Sequence, residues 1–204
     1  YRGFSNPDLK PEYSTTKDLG MLFVLGSSTA HRFEATRFWV DAKDRIVFDM
    51  LAFRPENIGR VESDGWEFRY EGTAPSGWLS WFADITLTRA TEVTAFIAGI
   101  PPLENPVPYV PERAGNVGVN LSIDGFSARF THSASGQRRT SFGPRELLRS
   151  FTRTDVSASY RLEFFSLQTR ILGEMTNLFD TQYEVFPGYP MPGRAFRVGI
   201  SLER

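Results

Sequence analysis

The sequence predicts an all-β fold, an antiparallel up-and-down meander of about nine strands, and three observations carry that prediction. Apolar and polar side chains alternate with period two over most of the chain, as on strands whose two faces meet unlike surroundings. All thirteen prolines fall between the alternating segments, where a missing N–H breaks no ladder. The connections are alternately short and long.

Tyr1 to Thr15 reads as loop from its Pro, Gly and Asn content. In the first strand, Lys17, Leu19, Met21, Phe23 and Leu25 alternate with Thr16, Asp18, Gly20, Leu22 and Val24, and Gly26-Ser27-Ser28 starts a short turn. Phe33 to Phe48 reads as a second strand with imperfect alternation, Arg37 and Trp39 sharing a side. A longer loop runs from Leu51 to Arg60. The clearest pattern follows, with Trp66, Phe68 and Tyr70 on one face against Glu67, Arg69 and Glu71 on the other. After the turn Gly72 to Gly77, Leu79, Trp81, Ala83, Ile85 and Leu87 oppose Ser80, Asp84, Thr86 and Thr88. Large rings near strand ends suit an interfacial girdle, since an indole or phenol has an apolar body and a polar edge.

Gly99 to Arg113, with five prolines, is the longest loop. Val117, Val119, Leu121 and Ile123 then alternate with Gly118, Asn120 and Ser122, and Asp124-Gly125 is a tight-turn dipeptide returning the chain into Phe126 to Ser133. A polar, basic loop covers Ser135 to Phe151, and a strand from Asp155 to Phe164 turns near Ser166 into Thr169 to Phe179. Pro187, Gly188, Pro190, Pro192 and Gly193 force a loop before the closing strand. That strand sets Phe196, Val198, Ile200 and Leu202 against Arg197, Gly199, Ser201 and Glu203.

Composition narrows the class of protein. The 204 residues, 41% hydrophobic, suffice for one ordinary domain with a sizeable core. Without cysteine there is no disulfide framework, thiolate metal site or cysteine nucleophile. A net charge of −1 gives no global pull toward nucleic acid or anionic lipid. Tyr1 to Glu12 does not resemble a signal peptide, and no stretch approaches the roughly 18 apolar residues of a membrane helix. A membrane β-barrel stays open, because only alternate residues of its strands face lipid, and short turns opposite long loops is that architecture's asymmetry.

Two motifs add a family resemblance. Asn177-Leu178-Phe179-Asp180 leads through Gly188-Tyr189-Pro190-Met191-Pro192-Gly193-Arg194 into the closing strand, and Asn6-Pro7-Asp8-Leu9-Lys10-Pro11-Glu12 stands near the start. Both resemble segments of the TonB-dependent outer-membrane receptors, in the same order and at about the same separation. The resemblance implies that residues 1–204 are the C-terminal segment of a larger transmembrane β-barrel of roughly 22 strands. The N-terminal plug, the earlier strands and the TonB box that contacts TonB are then absent from this chain. It implies a Gram-negative outer-membrane location, lipid around the wall, and TonB-energised uptake of a scarce nutrient such as an iron-siderophore or cobalamin. The long loops would face outward. The family's closing strand usually finishes on an aromatic residue, whereas this chain stops at Arg204.

No motif points to catalysis, and the expectation is a non-enzyme without catalytic residues, cofactor or metal. His31 and His132 are about a hundred residues apart with no ligand spacing around either. No G-x-S-x-G turn marks a nucleophile. Glu62 with Asp64 and Glu67 with Glu71 suggest glycosidase carboxylates less well than a solvated lumen face. The Asn120-Leu121-Ser122 sequon lies inside a strand. Gly136 to Arg153 carries five arginines against Glu146, with Phe142 and Phe151 among them. That chemistry fits nucleic acid, an anionic chelate, the phosphates of lipopolysaccharide, or simply a solvated loop.

The ligand-binding candidates are the charged or aromatic loop residues Arg54, Arg60, Tyr109, Arg138, Arg139 and Tyr189. Two other readings compete. One is a soluble β-sheet carbohydrate-binding module using Trp66, Phe68, Trp78 and Trp81, although its inner layer would have to bury Glu67, Arg69, Glu71, Asp84, Arg161 and Glu163. The other is a passive outer-membrane channel without a plug.

Overall fold

The computed structural model describes residues 6–26, 31–49, 54–57, 59–94, 103–140, 147–164 and 167–203, and the features below refer to these. In chain order the strands are β1 (Tyr13–Leu25), β2 (His31–Lys43), β3 (Ile46–Asp49), β4 (Arg54–Asn57), β5 (Arg60–Thr73), β6 (Leu79–Thr94), β7 (Leu103–Pro106) and β8 (Arg113–Ile123). They continue as β9 (Phe126–Ser135), β10 (Arg138–Arg139), β11 (Leu147–Leu148), β12 (Phe151–Phe164), β13 (Leu167–Thr176), β14 (Glu184–Phe186), β15 (Tyr189–Pro190) and β16 (Ala195–Glu203).

Nine long strands form one antiparallel meander, β1-β2-β5-β6-β8-β9-β12-β13-β16, with β7 added beside the end of β6. Three small hairpins, β3-β4, β10-β11 and β14-β15, occupy long connections. Every long connection leaves the same end of the sheet. The outer edges of β1 and β16 are unpaired, so the sheet is an open portion of a barrel wall.

Residues directly opposite in antiparallel strands share a face, so the register sorts the side chains. One row runs Leu25, His31, Gly72, Trp81, Val119, Phe130, Val156, Met175 and Phe196. The next row, on the other face, runs Thr73, Ser80, Asn120, Arg129, Ser157, Glu174 and Arg197. The apolar row starts at the last residue of β1 and finishes near the start of β16, a stagger that corresponds to strands tilted as in a barrel.

The apolar face has no second layer on it. Trp66, Phe68 and Val119 are each 42% exposed and Ile200 is 69% exposed, while Leu148 is the one buried hydrophobic residue among those described. A sandwich would have buried these residues between sheets. The soluble sandwich reading therefore fails on its own criterion. A contiguous exposed apolar face of this kind marks a surface that meets a partner or a membrane.

Gaps in the alternation have a steric reason. Phe38, Trp81 and Phe82 lie directly across from Gly65, Gly72 and Gly118, and each ring covers its glycine. A Cβ on those glycines would stand 2.5, 2.3 and 2.3 Å from the ring atoms. Each ring uses the space its partner leaves, the pairing by which aromatics compensate strand glycines.

Two expectations are corrected. The second strand does not continue to Phe48: it ends at Lys43, Asp44 turns the chain at φ 55°, and Ile46–Asp49 belongs to the β3-β4 hairpin. Nor do all prolines lie outside strands, since Pro55, Pro106 and Pro190 stand in β4, β7 and β15. Those are short edge strands with an open side, where a missing N–H costs no ladder bond. The turns expected at Ser27-Ser28 and near Ser166, and the terminal Arg204, lie outside the described residues.

Both family-like motifs are loop fasteners. Near the N-terminus, Asn6 Nδ2 donates to the Pro55 carbonyl at 2.9 Å, Lys10 N to Asn57 Oδ1 at 2.8 Å, and Ile46 N to Glu12 Oε1 at 2.6 Å, which ties the segment to the β3-β4 hairpin. At the other end, Asn177 is 2% exposed and Asp180 exposed, both left-handed at φ 50° and 53°, a conformation Asn and Asp tolerate best after glycine. Asn177 Nδ2 donates to the carbonyls of Thr181 (3.0 Å) and Pro192 (3.2 Å), and its Oδ1 accepts from Thr181 N at 2.9 Å. Asp180 Oδ1 accepts from Arg194 N at 2.7 Å. The Asn-Leu-Phe-Asp turn thus holds the Pro-Gly-Arg segment that feeds β16.

Replacing Asn177 by Ala removes three bonds and places a Cβ residue without a polar side chain in the left-handed region. In the intact protein this should cost about 2–4 kcal/mol, read as a lower urea midpoint. Asn177→Asp, which keeps the acceptor but loses both donors, should fall between. Wild-type midpoints for both would show that the turn does not rest on this side chain.

Candidate functional site: the loop end of the wall

The long connections gather several candidate residues at one end of the sheet. The Tyr109 amide donates to the Arg139 carbonyl at 2.7 Å, and the Tyr109 ring lies 4.8 Å from that of Phe186. Phe186 in turn pairs with Tyr189 in the β14-β15 hairpin. Arg138 Nη2 donates to the Glu184 carbonyl at 3.0 Å, and its guanidinium stands 5.1 Å from the centre of the Phe151 ring. Tyr183 stacks on Phe151 at 4.2 Å. Four of the six candidates, Tyr109, Arg138, Arg139 and Tyr189, therefore belong to one cluster built from three connections. A cleft of about 430 Å³ opens beside it between Leu147–Ser150 and Gln182–Glu184.

The two adjacent arginines of β10 have different surroundings. Arg138 is 6% exposed, and its Nε is buried with no hydrogen-bond partner among the described residues. It leans on Phe151, whose register neighbour Ser135 continues a row of the polar face. Arg139 is half-buried and lines a different, larger cavity together with Arg37, Trp66 and Arg113. Tyr189 is 73% exposed at the tip of its hairpin.

Arg54 and Arg60 stand apart from the cluster, each held by carboxylates of its own region. Arg54 Nε meets Glu56 Oε1 at 2.8 Å. Arg60 forms a two-pronged pair with Asp41 at 2.6 and 2.7 Å and also reaches Glu62 at 3.1 Å. Arg60 is the first residue of β5 rather than a loop residue.

Sequence reasoning passed over a second group, on the apolar face. Arg37 pairs with Asp64 and lies over two indoles, 4.9 Å from the Trp39 ring centre and 5.6 Å from that of Trp66. This explains why Arg37 and Trp39 share a side. It also corrects the placement of Glu62 and Asp64: register puts them on the face of Trp66, beyond the ring belt, not on the polar face. Glu67 and Glu71 do lie on the polar face, with the Arg69–Asp84 pair (2.7 Å) and the Arg153–Asp155 pair (2.9 Å). His31 and His132 are satisfied singly, by Tyr70 Oη at 3.0 Å and Thr154 Oγ1 at 2.8 Å. Among the described residues no group of three or more His, Asp or Glu is placed to hold a metal. Arg145, Phe142 and Glu146 lie outside the described residues.

A single antiparallel sheet with one apolar and one charged face, short turns at one end and a loop cluster at the other, is the wall of an outer-membrane-type β-barrel. The chain belongs to the TonB-dependent receptor family: residues 1–178 match the family described as TonB dependent receptor-like, beta-barrel. The chain is similar in structure to the FrpB iron transporter from Neisseria meningitidis (F3-3 variant), with TM-score 0.73 and 13% identity over 97% of this chain and 32% of that one. It is similar to the ferric yersiniabactin uptake receptor FyuA from Yersinia pestis, with TM-score 0.69 and 20% identity over 93% and 29% of the two chains. The copper transporter OprC gives TM-score 0.73 and 15% identity over 95% and 31%. At these identities the likeness is one of fold, and the chain spans about a third of the length of each solved structure. No curated protein matches it in sequence.

The cluster around Arg138 predicts its own failure. Arg138→Ala removes a cation–π contact and a hydrogen bond, together about 2 kcal/mol or about thirtyfold in the open population of the loops. Limited proteolysis of the intact receptor should then cut faster within 147–150 and 183–190, with Arg139→Ala close to wild type. Equal protection in Arg138→Ala would show that the loops are held by other contacts.

Proposed function

We propose that this chain is the C-terminal part of the barrel of an outer-membrane transporter that takes up a scarce nutrient, an iron-siderophore, cobalamin or similar ligand, with energy supplied through TonB. One observation carries the reading: the sorting of side chains between two faces is kept along nine strands, at whose one end three of the four long connections meet in a cluster of arginines and aromatics. The plug, the earlier strands and the TonB box then belong to the same receptor outside this segment, in keeping with a chain that spans a third of the solved receptors. The wall performs no bond chemistry and needs no cofactor. It supplies a backbone fully paired within the sheet, as hydrocarbon demands, and a charged face toward water.

The ligand contacts we infer are Tyr109, Arg139 and Tyr189 around the mouth, with Arg138, buried against Phe151 and the Glu184 carbonyl, holding the loops that carry them. Arg54 and Arg60, already engaged by carboxylates, contribute least. Guanidinium and phenol groups suit the carboxylates, catecholates or phosphates of an anionic chelate, held by charge-assisted bonds. Similarity in fold to an iron transporter and a copper transporter supports a metal-bearing ligand.

The test is uptake in cells carrying the intact receptor. Deleting the receptor should abolish accumulation of one radiolabelled ligand from a panel of ferric catecholates, ferric hydroxamates and cobalamin, and loss of TonB should do the same. The double variant Arg138→Ala with Arg139→Ala should weaken binding of an anionic ligand about tenfold or more. Uptake that persists without TonB and does not saturate would favour a passive channel. Unchanged affinity in the double variant would remove both arginines from the site.

A further inference from the structure

The polar face carries a second basic group, at the end away from the loop cluster. Register sets Ser122 of β8, Ser127 of β9 and Ser159 of β12 side by side on this face, and Leu172 and Gly199 continue the row across β13 and β16. Ser157 stands one row nearer the loops and Ser201 one row nearer the short turns. Side chains this short leave a shallow basin. Arginines border it on both sides: Arg129 and Arg197 toward the loops, Arg161 and Arg170 toward the turns. Arg161 lies three residues before the end of β12, about 10 Å of strand, and ten residues after Phe151, about 34 Å of strand from the mouth.

The charges around this basin are not matched within the segment. Arg197 is engaged by Glu174. Arg129 lies over the Phe82 ring, 5.9 Å from its centre, with no carboxylate partner among the described residues. Arg161 and Arg170 stand directly opposite each other in the β12-β13 ladder, and like charges so placed repel. Arg170 Nη2 donates to Ser159 Oγ at 3.2 Å, on a residue only 8% exposed, while the Arg161 guanidinium has no partner among the described residues. Glu163, one row nearer the turn, stands opposite Gln168 and pairs with neither arginine. Elsewhere on this face the arginines Arg32, Arg69 and Arg153 each have a carboxylate, from Glu34, Asp84 and Asp155. The facing pair is the exception, and an oxyanion seated between the two guanidinium groups would remove its repulsion.

We infer that this basin holds the carboxylate or phosphate oxygens of an anionic ligand on its way from the mouth to the short-turn end, a second station on the bore wall. Arg161 and Arg170 each offer a bidentate fork to the oxyanion, Arg129 adds charge from the loop side, and the serine hydroxyls donate to oxygens that the forks leave free. Short side chains matter here as much as charge. A longer residue at 127 or 159 would fill the place of the anion. The inference rests on the proposal that the polar face lines a transport bore, and it is independent of the contacts at the mouth, a strand length away.

The test is a single thiol, Ser201→Cys in the intact receptor in lipid, treated in turn with an anionic and a cationic water-soluble methanethiosulfonate. The anionic reagent should react about tenfold faster than the cationic one, and inorganic pyrophosphate should remove that advantage by competing for the basin. Adding Arg161→Gln with Arg170→Gln should abolish both the preference and the competition. Arg161→Lys with Arg170→Lys, which keeps the charge, should retain the preference. Equal rates for the two reagents, or a preference that persists in the glutamine pair, would overturn the inference. Protection of the thiol from every reagent would also overturn it, because another part of the receptor would then fill the basin and answer the arginines. A thiol reached by both charged reagents alike defeats this inference alone, whereas one reached only by a membrane-soluble maleimide places this face in lipid and defeats the functional reading beneath it.

Discussion

A backbone amide facing hydrocarbon has no water to bond, and each unpaired group there costs several kcal/mol. The antiparallel ladder from β1 to β16 meets that demand, and the rest of the structure follows from it. Once successive strands pair residue by residue, the pleat sends alternate side chains to opposite sides. The sequence needs only to keep that alternation in phase across each turn. A slip of one residue anywhere would exchange the solvents of every side chain beyond it. The glycines under Phe38, Trp81 and Phe82 show how closely the register is kept, since each large ring has its space directly across the ladder.

Much of this could be read from residues. Trp66, Phe68 and Tyr70 against Glu67, Arg69 and Glu71 specify both a strand and its two environments, and Asp124-Gly125 specifies a turn and hence the pairing of β8 with β9. What could not be read was structure inside the long connections. The β3-β4, β10-β11 and β14-β15 hairpins are two to four residues per strand, too short for a period to show, and two of the three have a proline within a strand, which argues against strand. Their existence depends on contacts from distant positions, such as Asn57 with Lys10 or Arg138 with Glu184.

The candidate site was legible only in part, for the same reason. Charge and aromaticity in loops picked out Tyr109, Arg138, Arg139 and Tyr189, which the fold gathers. Composition could not show that Arg138 is buried and Arg139 is not, nor that Arg60 is spoken for by Asp41. Arg37 looked like a lapse in the pattern of β2. With Asp64 and two indoles around it, it is a cation accommodated at the border of the apolar belt, where a charge of this kind costs little.

Membrane wall and loop cluster are thus separable achievements of one ladder: the faces set where the sheet resides, and the connections set what it meets. The faces can be measured directly, and because this segment has no cysteine, it adds none to thiols introduced one at a time. Single spin labels at 66, 67, 68, 69, 70 and 71 in the intact receptor, reconstituted in lipid, should alternate in collision rate, with 66, 68 and 70 relaxed by oxygen and 67, 69 and 71 by a water-soluble nickel chelate. Accessibility that varies smoothly along these six positions, or alternates in the opposite phase, would contradict the two-faced wall.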